Sequence, residues 1–145
     1  MIRRFGSMIG VTLLEILLVL GIAAVIIVMS LRYYSAASAT SQVNTYLQQI
    51  QAIAAAIESV TMTAGSASTT TVQQFLGGST GVWALPWGGT MQLGALASGT
   101  YKITNVKPSA GICSALTQRL KLITSFSVNS SCTTVTYIPG GSASN

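Results

Sequence analysis

The fold of this chain is decided by residues 11–31, which read VTLLEILLVLGIAAVIIVMSL. The run carries a single charged side chain, Glu15, and at the usual helical rise it makes a helix of roughly 31 Å. That length matches the hydrocarbon core of one bilayer. The preceding segment, MIRRFGSMIG, is short and basic. The stretch therefore predicts either a secretory signal peptide or a membrane helix that the mature protein retains.

The two interpretations make different demands on the residues around the apolar run. A signal peptide needs small residues at a cleavage site, and residues 35–37 (SAA) or 37–39 (ASA) supply them. A retained helix places Arg3 and Arg4 on the cytoplasmic side. A carboxylate in lipid costs about 2.5–3.5 kcal/mol, so Glu15 needs a partner or a place near the helix N-terminus at headgroup level.

The helical pattern continues beyond the apolar run. Apolar side chains recur with a period near 3.6 on one face: Val43, Tyr46, Leu47, Ile50, Ile53, Ala54, Ile57 and Val60. The opposite face is polar, and no Pro or Gly occurs between Ile22 and Ala64. One helix is therefore predicted over residues 12–62, apolar all round in its first half and striped in its second. The stripe needs a sheet to cover it, and Gly65 ends the helix.

After the helix, short segments of alternating polarity are typical of an antiparallel sheet. Strands are predicted over 90–96, 100–106, 124–128 and 133–138, with a hairpin turn at 97–99. The predicted fold class is α+β, in which a sheet of about four strands packs on the long helix.

The prediction also includes two shorter helices and two tryptophans that pack in the core. A helix over 110–123, capped by Ser109, presents an apolar stripe of Ile112, Leu116, Leu120 and Ile123. The spacing of Val72, Phe75 and Leu76 indicates one short helix. Trp83 and Trp87 are expected to pack on the sheet or the helix rather than to bind carbohydrate.

The composition excludes most enzyme chemistry. The 145 residues include no His and no Asp, and the acids are Glu15 and Glu58. Catalytic triads, Cys/His dyads, paired-carboxylate sites, His-based zinc sites and calcium cages therefore lack their parts. We expect no catalytic residue, no metal and no cofactor, although the composition leaves room for a Ser/Lys dyad, for which no motif is present. The net charge of +5 comes from scattered basic residues, which favour a nucleic-acid surface only weakly.

The N-terminal half resembles the type IV pilin family. The matching residues are Gly10, the segment Val11-Thr12-Leu13-Leu14-Glu15 and the apolar run after it. In that family a short basic leader ends in Gly, cleavage precedes a hydrophobic residue, and a Glu is fifth in the mature chain. Counted from Val11, Glu15 is fifth.

The C-terminal half resembles the family more loosely. Residues 84–89 (ALPWGG), residues 111–116 (GICSAL) and Cys132, together with Val11 as the first mature residue, are similar to the type IVb branch, near toxin-coregulated and conjugative thin-pilus pilins. The ten-residue leader and the small mature chain depart from typical members of that branch.

The resemblance implies a pilin fold in three regions: a leader over 1–10, a membrane and filament-core half of the helix over 11–38, and a periplasmic, later extracellular, globular domain over 39–145. A prepilin peptidase would cut between Gly10 and Val11 and N-methylate Val11. The subunit would wait in the bacterial inner membrane until an inner-membrane assembly platform extracts it into a helical homopolymer, the pilus.

Glu15 would have a defined role in that filament. Its carboxylate would pair with the α-amino group of Val11 on a neighbouring subunit, because an unpaired charge in a dry core is expensive. The pairing would set the axial register of helices whose apolar surfaces do not otherwise fix their axial position.

The cysteines Cys113 and Cys132 are the only two in the chain. An even pair in an exported domain favours a disulfide, which would contribute about 3 kcal/mol in the chain-entropy model. In the resembled family, the segment between the cysteines is a surface region that makes subunit contacts, which would leave Arg119 and Lys121 exposed.

Three alternatives to a pilus subunit stay open. The first is a pseudopilin of type II secretion, whose major form usually has an acidic calcium site that this chain lacks and usually has no disulfide. The second is a minor pilin that acts as a tip module binding DNA or a surface receptor. The third is a soluble secreted domain behind an ordinary signal peptide.

Overall fold

The computed structural model describes residues 12–78, 83–95, 99–104 and 106–141. Its first element is α1, the 52-residue helix Leu13–Ala64, which confirms the predicted long helix. By internal packing the chain divides into an N-terminal unit, Met1–Ala37, and a C-terminal unit, Ser38–Asn145. The first half of α1 belongs to one unit and the second half to the other.

The C-terminal unit adds two short helices and one sheet to the second half of α1. The helices are α2 (Thr69–Phe75) and α3 (Ala110–Leu120), and the strands are β1 (Gln92–Ala95), β2 (Tyr101–Thr104), β3 (Phe126–Val128) and β4 (Thr134–Tyr137). The strand order is β1-β2-β4-β3, and all neighbours pair antiparallel. The predicted α+β class, a long helix packed on a four-stranded antiparallel sheet, is confirmed. Each strand is shorter than predicted, and residues 97 and 98 of the hairpin turn predicted at 97–99 lie outside the described residues.

The register of the sheet separates its apolar face from its polar face. Ile103 pairs with Leu93 on one side and with Val135 on the other, so one apolar row crosses the sheet. Tyr101, Tyr137 and Phe126 form a second row. The intervening residues are polar or small: Gln92, Gly94, Lys102, Thr104, Ser127, Thr134 and Thr136. This alternation is the period of two expected for a sheet with one buried face.

The core joins the apolar face of the sheet to the stripe on α1. Val43, Tyr46, Ile50, Ile53, Ala54, Ile57 and Val60 are buried as predicted, and Leu47 is partly buried. Ile112, Leu116 and Leu120 of α3 complete the same cluster. Each fully buried aliphatic side chain contributes about 1.5–3 kcal/mol, so this stripe is the main attachment of α1 to the sheet.

Both tryptophans pack in the core between the sheet and the helices, as predicted. Trp83 is 2% exposed, and the Trp87 ring lies with its centroid 5.1 Å from that of Tyr46. Gln49 of α1 donates a hydrogen bond to the backbone oxygen of Ala84 at 2.8 Å. Burial raises the pKa of the Tyr46 phenol because ionisation would place a charge in an apolar environment.

The predicted helix after Ser109 is present as α3 and begins at Ala110, but two details of its ends differ from the prediction. Ser109 occupies the N-cap of α3, but its side chain makes no cap hydrogen bond; its backbone oxygen instead accepts from the N–H of Cys113 at 2.9 Å. The helix ends at Leu120 and not at Ile123, because the N–H groups of Leu122 and Ile123 donate to carbonyls three residues back, in tighter turns.

The predicted short helix is present as α2, although not every apolar residue of its spacing is buried. Val72 is buried, but Phe75 is 63% exposed. A helix this short buries a narrow strip, and the half-buried Leu76, four residues after Val72, completes that strip while Phe75 points away. Its N-cap is Ser68, which forms a capping box with Thr71 that was not predicted from the sequence.

Candidate functional site

The apolar side chains of the N-terminal unit are uncovered. From Leu13 to Leu31, the large apolar residues of α1 leave half or more of their surface exposed. None of the most apolar part of the described helix is buried. By length and composition this helix is able to cross a membrane. Such a surface requires lipid or other protein to cover it.

Glu15 lies in the first turn of α1 and is exposed. Its backbone N–H donates to the backbone oxygen of Thr12 at 2.9 Å, and Thr12 Oγ1 lies 3.4 Å from the same nitrogen. Among the residues that the structure describes, no cation contacts its carboxylate. The positive end of the helix dipole favours a carboxylate there by about 0.3–1 kcal/mol. Glu15 is thus a lone acid on an apolar, uncovered surface.

Gly10 and Val11, the residues predicted for cleavage and methylation, lie outside the described residues, as does the whole predicted leader. Their processing roles therefore stay predictions. Thr12 is the first described residue, and α1 begins immediately after it.

The predicted disulfide is present between Cys113 and Cys132, whose Cα atoms are 5.7 Å apart. Cys113 lies near the start of α3, and Cys132 lies in the loop between β3 and β4. Cys132 is fully buried and has a φ of 51°, a left-handed conformation that non-glycine residues seldom adopt. The bond therefore ties α3 to the loop that joins the two last strands.

Asn129 stabilises the loop that carries Cys132. Its Nδ2 donates to the hydroxyls of Ser131 at 2.9 Å and Thr133 at 2.8 Å, and its Oδ1 accepts from the N–H of Thr134 at 3.0 Å. The N–H of Cys132 donates to the Asn129 backbone oxygen at 2.9 Å. This network was not predicted from the sequence, although an Asn with serines after it and a strand beyond them is a turn signal.

The segment between the cysteines is exposed at its basic residues, as predicted for Arg119 and Lys121. Arg119 Nη1 donates to the Oδ1 atom of Asn44 on α1 at 3.0 Å. Arg119 therefore joins α3 to the polar flank of the long helix, while Lys121 lies at the C-cap of α3.

A second acidic site was not predicted from the sequence. Glu58 is exposed on α1, and its Oε1 accepts a hydrogen bond from the hydroxyl of Tyr137 on β4. Burial raises the pKa of the Tyr137 phenol, and the hydrogen bond and the charge of Glu58 raise it further. A cleft of about 530 Å³ adjoins this pair, with Met62, Tyr101 and Pro139 among its lining residues. No local signal pairs Glu58 with a tyrosine 79 positions away.

Comparisons with known proteins add no relative. No protein-family model matches this chain. Neither the curated proteins nor the solved structures give a match. In the described part of the chain, no group of three or more His, Cys, Asp or Glu side chains is positioned to hold a metal ion. The basis for a functional proposal is therefore the sequence and geometry of this chain.

Proposed function

We propose that this chain is a structural subunit of a type IV pilus, of the type IVb branch, made as a prepilin with a leader over residues 1–10. The observation that carries the proposal is the contrast within α1. Its first half is an uncovered apolar surface with a single carboxylate, Glu15, in the first turn. Its second half is attached to a sheet by a buried stripe.

An apolar helix of this kind suits two environments. In the inner membrane, lipid covers it; in a filament, the same helices of other subunits cover it. Extraction from the membrane into the filament therefore replaces lipid around the helix by the apolar helices of other subunits. Such surfaces do not fix the axial position of one helix against the next, whereas a pair between Glu15 and the α-amino group of Val11 on a neighbouring subunit does.

The C-terminal unit suits exposure outside the cell. Its disulfide is a feature of oxidising compartments, and hydroxyl-bearing side chains cover the polar face of its sheet. Prepilin peptidase and the assembly platform are the proposed partners before export, and further copies of this chain are the partners afterwards. We propose no catalytic role for the chain.

Mass spectrometry of protein sheared from cells tests the processing step. We expect a chain that begins at N-methyl-Val11 and is lighter by two hydrogens before reduction than after it. Gly10→Leu should leave the leader attached and prevent filament formation, whereas Gly6→Leu, a matched change within the leader, should still be processed. A chain that begins after residue 35 would identify an ordinary secreted domain and overturn the proposal.

The role of Glu15 has its own test. Glu15→Val should be cleaved normally but should enter filaments poorly when it is expressed beside the wild-type subunit. Ser30→Ala removes a polar group from the same half of α1 and serves as the control. Incorporation of Glu15→Val at the wild-type level would show that Glu15 does not set the register.

A further inference from the structure

The charges of the C-terminal unit are strongly unequal. It contains one carboxylate side chain, Glu58, and four cationic side chains: Lys102, Lys107, Arg119 and Lys121. Copies of such a unit repel one another unless their cations are kept apart or placed opposite the single acid. In a homopolymer, Glu58 is therefore the one side chain of this unit that can neutralise a cation of a neighbour.

The surroundings of Glu58 suit a long side chain with a cationic end. The hydroxyl of Tyr137 donates a hydrogen bond to one carboxylate oxygen of Glu58, and no described residue is hydrogen-bonded to the other oxygen. The adjoining cleft is lined by apolar groups of Met62, Ile138 and Pro139, and the Met62 side chain is 85% exposed. An aliphatic stem can cover such apolar surface while its charged end reaches a carboxylate. Lysine has this chemistry.

The four cations of the unit differ in their surroundings. Arg119 binds Asn44, and Lys102 is half-buried in the polar face of the sheet. Lys121 is at the C-cap of α3, where helix carbonyls favour a positive charge. Lys107 is exposed in the connection between β2 and α3, and no described residue pairs with it. Of the four, only Arg119 has a side-chain hydrogen bond within the described part of the chain, and Lys107 is the exposed cation that lies neither in a strand nor at the C-terminal end of a helix.

We propose that the Glu58 cleft receives the Lys107 side chain of a second copy of this chain. The inference rests on the proposed function, because only an assembly of copies brings the two groups together repeatedly. It adds to that function a polar contact between C-terminal units, separate from the apolar half of α1 and from Glu15.

A zero-length carbodiimide cross-linker tests the contact on wild-type filaments, because it joins a carboxylate directly to an adjacent amine. We expect a ladder of oligomers and a cross-linked peptide that contains Glu58 and Lys107. Lys107→Arg keeps the charge but removes the reactive amine, so it should abolish this peptide without loss of filaments. Cross-linking of Glu58 to Lys121, to another protein, or to nothing in intact filaments would overturn the proposal.

Charge reversal gives an independent test. Glu58→Lys and Lys107→Glu should each lower the filament yield about fivefold to tenfold, and the double variant should recover most of it. The control is Lys121→Glu, which should not rescue Glu58→Lys. A Glu58→Lys variant with wild-type yield, or a double variant as poor as the singles, would contradict the contact.

The two proposals fail in different ways. Each charge variant should still be cleaved before Val11. Lys107→Glu should unfold at close to the wild-type temperature, because Lys107 is exposed, and Glu58→Lys should lose about as much stability as Tyr137→Phe, which removes the same hydrogen bond. Normal processing with no effect of charge reversal on filaments would refute the Glu58–Lys107 contact alone. Absence of processing in the wild-type chain would refute the proposed function itself.

Discussion

The two halves of α1 share one continuous helix but differ in everything that surrounds it. Apolar residues of the first half, such as Ile26 at 59% exposure, face outward on all sides. Those of the second half, such as Ile50 at 0%, lie on one stripe under the sheet. A stripe with a polar opposite face specifies one orientation against a partner, whereas a uniformly apolar surface specifies none. The second half of α1 therefore suits one fixed contact with the sheet, and the first half suits an apolar environment on all sides.

The largest expected loss of stability comes from truncating a side chain of the buried apolar stripe on α1. Ile50→Ala should lower the free energy of unfolding of the C-terminal unit by about 2–5 kcal/mol, because it deletes fully buried methyl groups and leaves a cavity. The matched change in the other half, Ile26→Ala, should alter it by less than about 0.5 kcal/mol. Denaturant unfolding of the full chain in detergent, monitored by tryptophan fluorescence, measures both. Equal losses would contradict the division of α1 into two regions.

Loss of the disulfide should be the next largest effect. Replacing Cys113 and Cys132 together by Ser should destabilise the C-terminal unit by about 3 kcal/mol, because the unfolded chain regains the entropy of an open loop. The N-terminal half of α1 lies outside that loop, so its helical circular dichroism should persist in detergent. Helix loss throughout the chain upon reduction would show that the two regions unfold together.

Removing the N-cap side chains of the two short helices should have smaller effects on stability, and the effect should differ between α2 and α3. Ser68→Ala breaks the capping box of α2 and should cost about 1 kcal/mol. Ser109→Ala removes a side chain that makes no cap hydrogen bond and should cost less than about 0.5 kcal/mol. Thermal unfolding of the two variants compares them directly. A larger loss for Ser109→Ala would mean that its hydroxyl caps α3 in solution.

An effect of about the same size as the loss of the α2 cap is expected on the polar side of the second half, at Glu58. Tyr137→Phe removes the hydrogen bond to Glu58 and should cost about 0.5–1.5 kcal/mol near neutral pH. Because the folded unit raises the pKa of Tyr137, the unfolded phenol ionises first, and stability should fall as pH rises above about 10. In Tyr137→Phe this fall should be shallower, with Tyr46 still contributing. Unfolding curves between pH 8 and 11 test it; a steeper fall in the variant would contradict the assignment.

Much of the fold could be predicted from local patterns. The period of 3.6 along Val43 to Val60 located the second half of α1, and alternation located strands such as β4. The presence of two cysteines in the chain predicted the disulfide between Cys113 and Cys132. Of the candidate site, the lone charge of Glu15 in an apolar helix was evident in the sequence. These features are readable because each depends on residues one or two turns apart, or on a residue type that occurs once or twice.

The tertiary structure decided the features that join distant residues. The strand order β1-β2-β4-β3 places the last strand between the second and third, and the hydrogen bond from Tyr137 to Glu58 joins residues 79 positions apart. The exposure of Phe75 and the missing side-chain cap at Ser109 depend likewise on where neighbouring elements pack. Periodicity tells which face of an element is buried, because it reflects local backbone geometry. Which partner covers that face depends on how the whole chain closes around one core, and no short stretch of sequence contains that information.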